Sequence, residues 1–230
     1  MTKKELSYMP ELSEISLDEF KKELKTGRLL PSRKPLLDDI DTKFSILKKT
    51  SISNAENLRD ILKSGSKLKQ LIKETGIPED YFKLLKREVN NLLPTPVKFS
   101  DIPNISEKIV KKLSSLKIAD AENLFSYVKD NDSRKNFEKE SGLSKEEVLW
   151  LTKIVDVSRI KWVGPKLARL IVDTKYDTVE KLAKAKPTDV LDELNNAKKK
   201  HKAYDGPLGI NDIDSWIHQV VSKTPLIIGY

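Results

Sequence analysis

The string Ala-Glu-Asn-Leu occurs twice, at 55–58 and 121–124. Holding that offset of 66 residues without a gap aligns 43–90 with 109–156 and gives 13 identities over 48 positions. Leu47 falls on Leu113, Ile52 on Ile118, Gly76 on Gly142, Leu85 on Leu151 and Val89 on Val155. Most mismatches keep the apolar or polar character of the position, so the buried pattern stays in phase throughout. A further copy fits at an offset of 58, where Ile109, Leu113, Glu122 and Leu124 fall on Leu167, Ile171, Glu180 and Leu182. Self-similarity of this kind marks one supersecondary unit used repeatedly, and it restricts the chain to folds that can be assembled from such units.

The units read as helix. Ile109, Leu113 and Leu116 recur at three- and four-residue spacing, with Lys111 and Lys112 on the opposite face. Leu124, Val128 and Phe137 extend the stripe, Gly142 interrupts it, and Ser144 with Glu147 forms a capping box for the next helix. A second box, Ser16 with Glu19, opens a helix that Gly27 is expected to close at the C′ position. No stretch alternates with period two for long enough to argue for a sheet, so the expected fold class is all-α. Pro31 and Pro35 make the segment from Arg28 onward turn-rich, and Pro94 and Pro96 prevent one helix from crossing that point. The expected organisation is an N-terminal helical arm at 1–37 and units at 38–96, 97–157 and 158–230, with no break between the last two.

Composition removes several chemistries. The 230 residues contain no cysteine and only two histidines, His201 and His218, so thiolate catalysis, disulfides and multi-histidine metal centres are excluded. His201 is flanked by lysines and has no second ligand nearby in sequence. No apolar run approaches the roughly 20 residues of a membrane-spanning helix, and the N-terminus has no apolar signal region. The expectation is a cytoplasmic protein without membrane contact. No nucleophile elbow, phosphate-binding loop, dinucleotide fingerprint or zincin helix occurs. The acidic groups Asp38–Asp39–Asp41 and Asp212–Asp214 read as charges at helix N-termini. The expected protein is therefore not an enzyme and needs no cofactor. Basic residues exceed acidic ones by 43 to 35, and only seven of the 43 are arginine. Lysine acts as a mobile point charge suited to phosphates, whereas bidentate reading of base edges favours arginine.

One stretch joins this charge to a specific geometry. In SRIKWVGPKLARLIV, residues 158–172, an apolar segment meets a tight turn and a helix opens at Gly164-Pro165. Proline suits a first helical position because no donor is needed there. Such an N-terminus exposes unpaired N–H groups and the positive end of the helix dipole, which together favour an anion. The stretch resembles the helix-hairpin-helix motif, with Ala168 small enough for close helix approach. The resemblance implies tandem helix-hairpin-helix (SAM-like) repeats, in three divergent units, whose hairpins contact nucleic-acid phosphates without reading sequence. It implies donors at the backbone N–H groups of Gly164, Lys166 and Leu167, with Val163 and Trp162 at the corner and Lys161, Lys166 and Arg169 supplying charge. Trp162 stands where the motif has its first glycine, Asn104 and Ser106 replace both glycines of the second unit, and residues 39–44 retain no recognisable hairpin. Residues 135–230, together with LLPSRKPLLDDID near the N-terminus, also resemble an uncharacterised bacterial family of domains of unknown function. That second resemblance implies fold, not activity.

Lys198, Lys199, Lys200, His201 and Lys202 form the densest basic run, expected as a loop continuing through Tyr204 to Pro207. It can follow a phosphate backbone, with Tyr204 as a stacking face, or be a solvated helix end. Trp150 and Trp216 sit among apolar neighbours and are expected in the core, His218 on a helix surface, and Trp162 at the hairpin tip. The tail TPLIIGY is apolar enough to dock on the core. Two functions stay open: sequence-independent binding of a DNA or RNA backbone through the third hairpin and the 198–202 lysines, or a protein-interaction scaffold with degenerate hairpins.

Overall fold

The computed structural model describes residues 6–27, 29–201, 204, 206–226 and 228–230, with the backbone alone at His201. Two compact units emerge, Pro10–Leu93 and Pro94–Tyr230, the latter including the segment before Pro10. Among the described residues the regular elements are helices; extended backbone forms only two isolated antiparallel bridges, Ser16 with Asn54 and Lys98 with Asp120.

The unit spanning 10–93 begins with α1 (Leu17–Thr26), which the Ser16–Glu19 capping box starts as expected. Leu17, Phe20 and Leu24 lie at helical spacing on its buried face. Gly27 closes α1 differently from the expected left-handed C′. Its backbone is extended (φ −78°, ψ 160°), and its N–H donates to the Glu23 carbonyl at 2.8 Å. A Cβ at this position would stand 2.7 Å from that oxygen, so close approach rather than handedness requires glycine. The proline-bearing segment winds into a 3-10 helix, Pro31–Leu37. It is tied to the rest by the half-buried Arg33–Glu88 pair (3.2 Å) and by the Tyr81 hydroxyl, which donates to the Leu36 carbonyl. Then follow α2 (Ile40–Leu47), α3 (Ala55–Lys63), α4 (Gly65–Thr75) and α5 (Glu79–Asn90) around a core that includes Phe20, Leu36, Phe44, Leu58, Phe82 and Leu85. The segment read as an arm thus contributes Leu12, Leu17, Phe20, Leu24 and Leu36 to this core.

The unit spanning 94–230 comprises α6 (Glu107–Ser115), α7 (Ala121–Val128), α8 (Asn131–Ser141), α9 (Lys145–Ser158), α10 (Pro165–Val172), α11 (Val179–Ala183), α12 (Pro187–His201) and α13 (Ile210–Gln219). One continuous core runs from Val97 to Val221, so the stretches read as second and third repeats share a single apolar interior. At its centre α9 packs against α7, α8 and α10; α10 packs on α12, and α12 on α13. The tail joins in: Ile228 packs against this core and the Gly229 N–H donates to the Lys129 carbonyl at 3.1 Å, while Leu226 stays exposed.

The repeat seen in sequence has a physical counterpart. Helices α3, α4 and α5 begin 66 residues before α7, α8 and α9. The caps Asn54 and Asp120 each accept from the amide three residues on, and both sit in extended backbone. Gly76 and Gly142 end α4 and α8 with φ of 67° and 65°, the left-handed C-cap that favours glycine. At the offset of 58, α6 and α7 begin where α10 and α11 do, and Thr178 caps α11 as Asp120 caps α7.

The exit of α9 carries the buried charge of this unit. Asp156 and Arg159 pair with their side chains almost wholly inside. The Asp156 carboxylate also accepts the Val179 N–H (2.9 Å), and Arg159 donates to the Pro225 carbonyl (2.8 Å). Beside them the Tyr8 hydroxyl donates to the Ser158 carbonyl at 3.0 Å, and burial pushes its pKa well above the ordinary phenol value.

Two outcomes follow, both readable by tryptophan fluorescence in urea, since Trp150, Trp162 and Trp216 all lie in this unit. Asp156→Ala leaves a buried guanidinium without its counter-charge and is expected to cost about 3–5 kcal/mol. Lys117 holds φ 60° at the C′ position of α6, where the Ile118 N–H reaches back to the Leu113 carbonyl (2.9 Å). Lys117→Gly should therefore stabilise by about 1 kcal/mol, because glycine carries no left-handed penalty.

Candidate functional site

Between α9 and α10 the chain reverses in four residues. The Val163 N–H donates to the Ile160 carbonyl at 3.1 Å, closing a turn whose third residue, Trp162, has φ 72°. Positive φ at that position is the signature of a type II turn, normally occupied by glycine or asparagine. The same turn occurs 58 residues earlier, where Ile105 donates to Ile102 at 3.3 Å and Asn104 holds φ 56°. Ile160 and Val163 are buried on either side of the corner, so the indole between them is turned outward and is 60% exposed.

Gly164 then caps α10 with ordinary extended angles (φ −87°, ψ 178°), followed by Pro165 at the first helical position. No side chain caps this helix. A Cβ built on Gly164 would meet nothing within 4 Å, so neither backbone conformation nor crowding requires glycine there. The corner thus presents a helix N-terminus without a side-chain cap, with open space where a Cβ on Gly164 would stand.

The expected site residues divide into distinct roles. Lys166 is exposed and forms no ion pair among the described residues. The Lys161 ammonium lies 4.9 Å from the centre of the Trp162 ring, a cation–π contact. Leu167 is half-buried against the core, so only its amide belongs to the corner. Val163 drops out as a donor, because its N–H is committed to the turn and its side chain is inside. Arg169 is braced internally: its Nε donates to Asp173 at 2.7 Å and its guanidinium lies 5.4 Å from the Trp150 ring centre. Trp150 and Trp216 are half-buried against the core, and His218 is exposed beside Asp214.

The basic run at 198–200 is not a loop. Buried Val190, Leu194 and Ala197 keep the helical phase of α12, so Lys198, Lys199 and Lys200 continue its solvent face into the last turn. Lys198 is a structural tie, donating to the Gly206 carbonyl (2.6 Å) with its ammonium over Tyr204. Lys199 and Lys200 are exposed. Lys202, Ala203 and Asp205 lie outside the described residues. Both cationic groups are carried by helices packed on one another, α10 and α12.

A shallow cleft lined by Lys175, Tyr176, Lys181, Lys184, Lys186 and Asp189 escaped the sequence reading. Three of its lysines are paired: Lys175 with Glu193 (3.3 Å), Lys181 with Asp177 (2.7 Å) and Lys184 with Glu180 (2.5 Å). Acid and base four residues apart, at 177/181 and 180/184, are the sequence signal of such a laced surface. Among the described residues, none form a group able to hold a metal ion, and no helix is long and apolar enough to cross a membrane.

The family model for a domain of unknown function, DUF4332, matches residues 103–222, more than half of the chain. The chain belongs to this family. The DUF4332 match opens on the turn at Asn104 and closes after α13, so it contains both positive-φ corners and all of α6 to α13. Neither the curated proteins nor the solved structures give a match.

Asp177 precedes the Thr178 cap of α11 and pairs with Lys153 and Lys181. Burial raises its pKa, but Lys153 (2.6 Å) and Lys181 together outweigh that and hold the carboxyl below the usual aspartate range. A carboxylate depressed on folding contributes stability above its unfolded pKa of about 3.9, and that contribution disappears as pH falls through the lower folded value. Asp177→Asn should therefore lower the melting temperature at neutral pH and flatten its decline under acid, measured by circular dichroism across a pH series.

Proposed function

We propose that the chain is a non-catalytic, cytoplasmic binding protein whose two positive-φ corners are diverged helix-hairpin-helix hairpins. The corner at 160–166 engages a nucleic-acid backbone without reading sequence. The observation that carries this is the uncapped start of α10 at Gly164, a glycine that the fold itself does not need. Amides at Gly164, Lys166 and Leu167 offer donors to a phosphate, and the dipole of α10 favours the negative charge. Lys161 and Lys166 supply local cations, and Lys199 and Lys200 are further exposed cations on α12, which packs on α10. The corner at 102–106, with Ser106 at the cap, is the weaker of the two.

One observation favours the rival reading, a protein-interaction scaffold. Arg169 and Lys198 are held by partners within the chain, which thins the cationic field expected of them.

Salt separates the two. Neutralising about 2–4 phosphates gives a slope of log K against log salt of roughly −2 to −4 on duplex DNA. Fluorescence anisotropy with labelled duplex should show that slope, and Lys166→Glu or the pair Lys199→Glu with Lys200→Glu should each weaken binding. Absence of binding at low salt discards the nucleic-acid reading, and a partner retained at high salt establishes the scaffold.

A further inference from the structure

Trp162 occupies a position that its own turn disfavours. At φ 72° a bulky side chain crowds the following carbonyl, a cost of about 1–2 kcal/mol that glycine escapes and that asparagine, present at the matching position 104, tolerates best. Burial does not compensate, because 60% of the residue faces solvent while Ile160 and Val163 beside it are inside. A strained, outward-facing tryptophan is therefore unexplained by folding, and observed strain of this kind points to a role in binding.

The surroundings narrow the ligand class. The Lys161 ammonium sits at 4.9 Å from the ring centre, Lys166 lies four residues on, and the open N-terminus of α10 begins two residues after the indole. An aromatic platform immediately beside an anion-favouring corner matches a nucleotide: a planar base for the indole and a phosphate for the amides and lysines. A base inside a duplex is already stacked on both faces, so it is not available to the ring.

We propose that Trp162 stacks on an unpaired base while the adjacent corner holds its backbone, giving this protein a preference for single-stranded or locally unpaired nucleic acid over duplex. The inference rests on the phosphate-binding role proposed for the same corner. An indole closing on a base adds affinity that a bare phosphate chain cannot supply, and it adds no sequence reading, since every base presents a π-face.

The test compares three probes at low salt: a single-stranded oligothymidylate, an abasic strand of equal length, and a duplex. Wild type should bind the base-bearing strand more tightly than the abasic one by about 5- to 150-fold, the range of a single stacked base. Its tryptophan emission should be quenched on binding. Trp162→Gly should bring the base-bearing strand down to the abasic level, leave abasic and duplex binding unchanged, remove that quenching, and keep or raise the melting temperature because the strain is released. Trp162→Tyr should restore most of the preference. Equal binding of the base-bearing and abasic strands by wild type, or equal losses on all three probes in Trp162→Gly, would overturn the stacking role while leaving phosphate binding intact. No binding of any probe by wild type would overturn the backbone-binding proposal itself.

Discussion

A buried ion pair fixes the point from which everything in the larger unit is measured. Asp156 lies on the last turn of α9 and Arg159 at its C-cap, both with almost no contact with water. Charges desolvated to this degree are tolerable only when hydrogen bonds complete them. Here the carboxylate takes the first amide of α11 and the guanidinium takes a carbonyl of the tail. Arg159 Nε is left without a hydrogen-bond partner among the described residues, the one unsatisfied donor in the arrangement. Three chain segments distant in sequence thereby converge on one helical turn. The corner at 160–163 starts at the next residue, so its placement inherits the rigidity of that turn.

The two corners, 58 residues apart, share a backbone turn and differ in their side chains. Both use the same hydrogen bond, apolar residues at first and fourth positions (buried at 102, 160 and 163, half-buried at 105), and a positive φ at the third. Asparagine at 104 sits comfortably in such a conformation; tryptophan at 162 does not. The helices that follow are also alike in lacking side-chain caps, but one begins with serine and the other with glycine. The shared turn geometry is thus compatible with different side chains at its third position and at the following cap.

Much of the architecture was legible because it rests on local rules. The Ser16 and Ser144 capping boxes, the interruption at Gly142 and the apolar stripes each depend on residues within one or two turns, and the structure contains them all. What escaped depends on longer reach. Gly27 reads as a left-handed cap from sequence, yet a carbonyl four residues back sets its role. The lysines at 198–200 read as loop because polar runs often are, but Val190, Leu194 and Ala197 hold them in helix. Arg169 looks like a surface cation until Asp173 and Trp150 close around it. The conformation of Trp162 could have been inferred from Asn104 at the aligned position, since asparagine is the residue after glycine most at ease with φ above zero.

Gly164 has a consequence for how this chain can drift. Alanine or serine there would meet no atom and strain no angle, and Ser106 already occupies the corresponding place in the other corner. Substitution by either of these small residues is therefore expected to leave the fold intact. The bare carbon instead leaves room for a group outside the polypeptide to come as near as a methyl would otherwise stand.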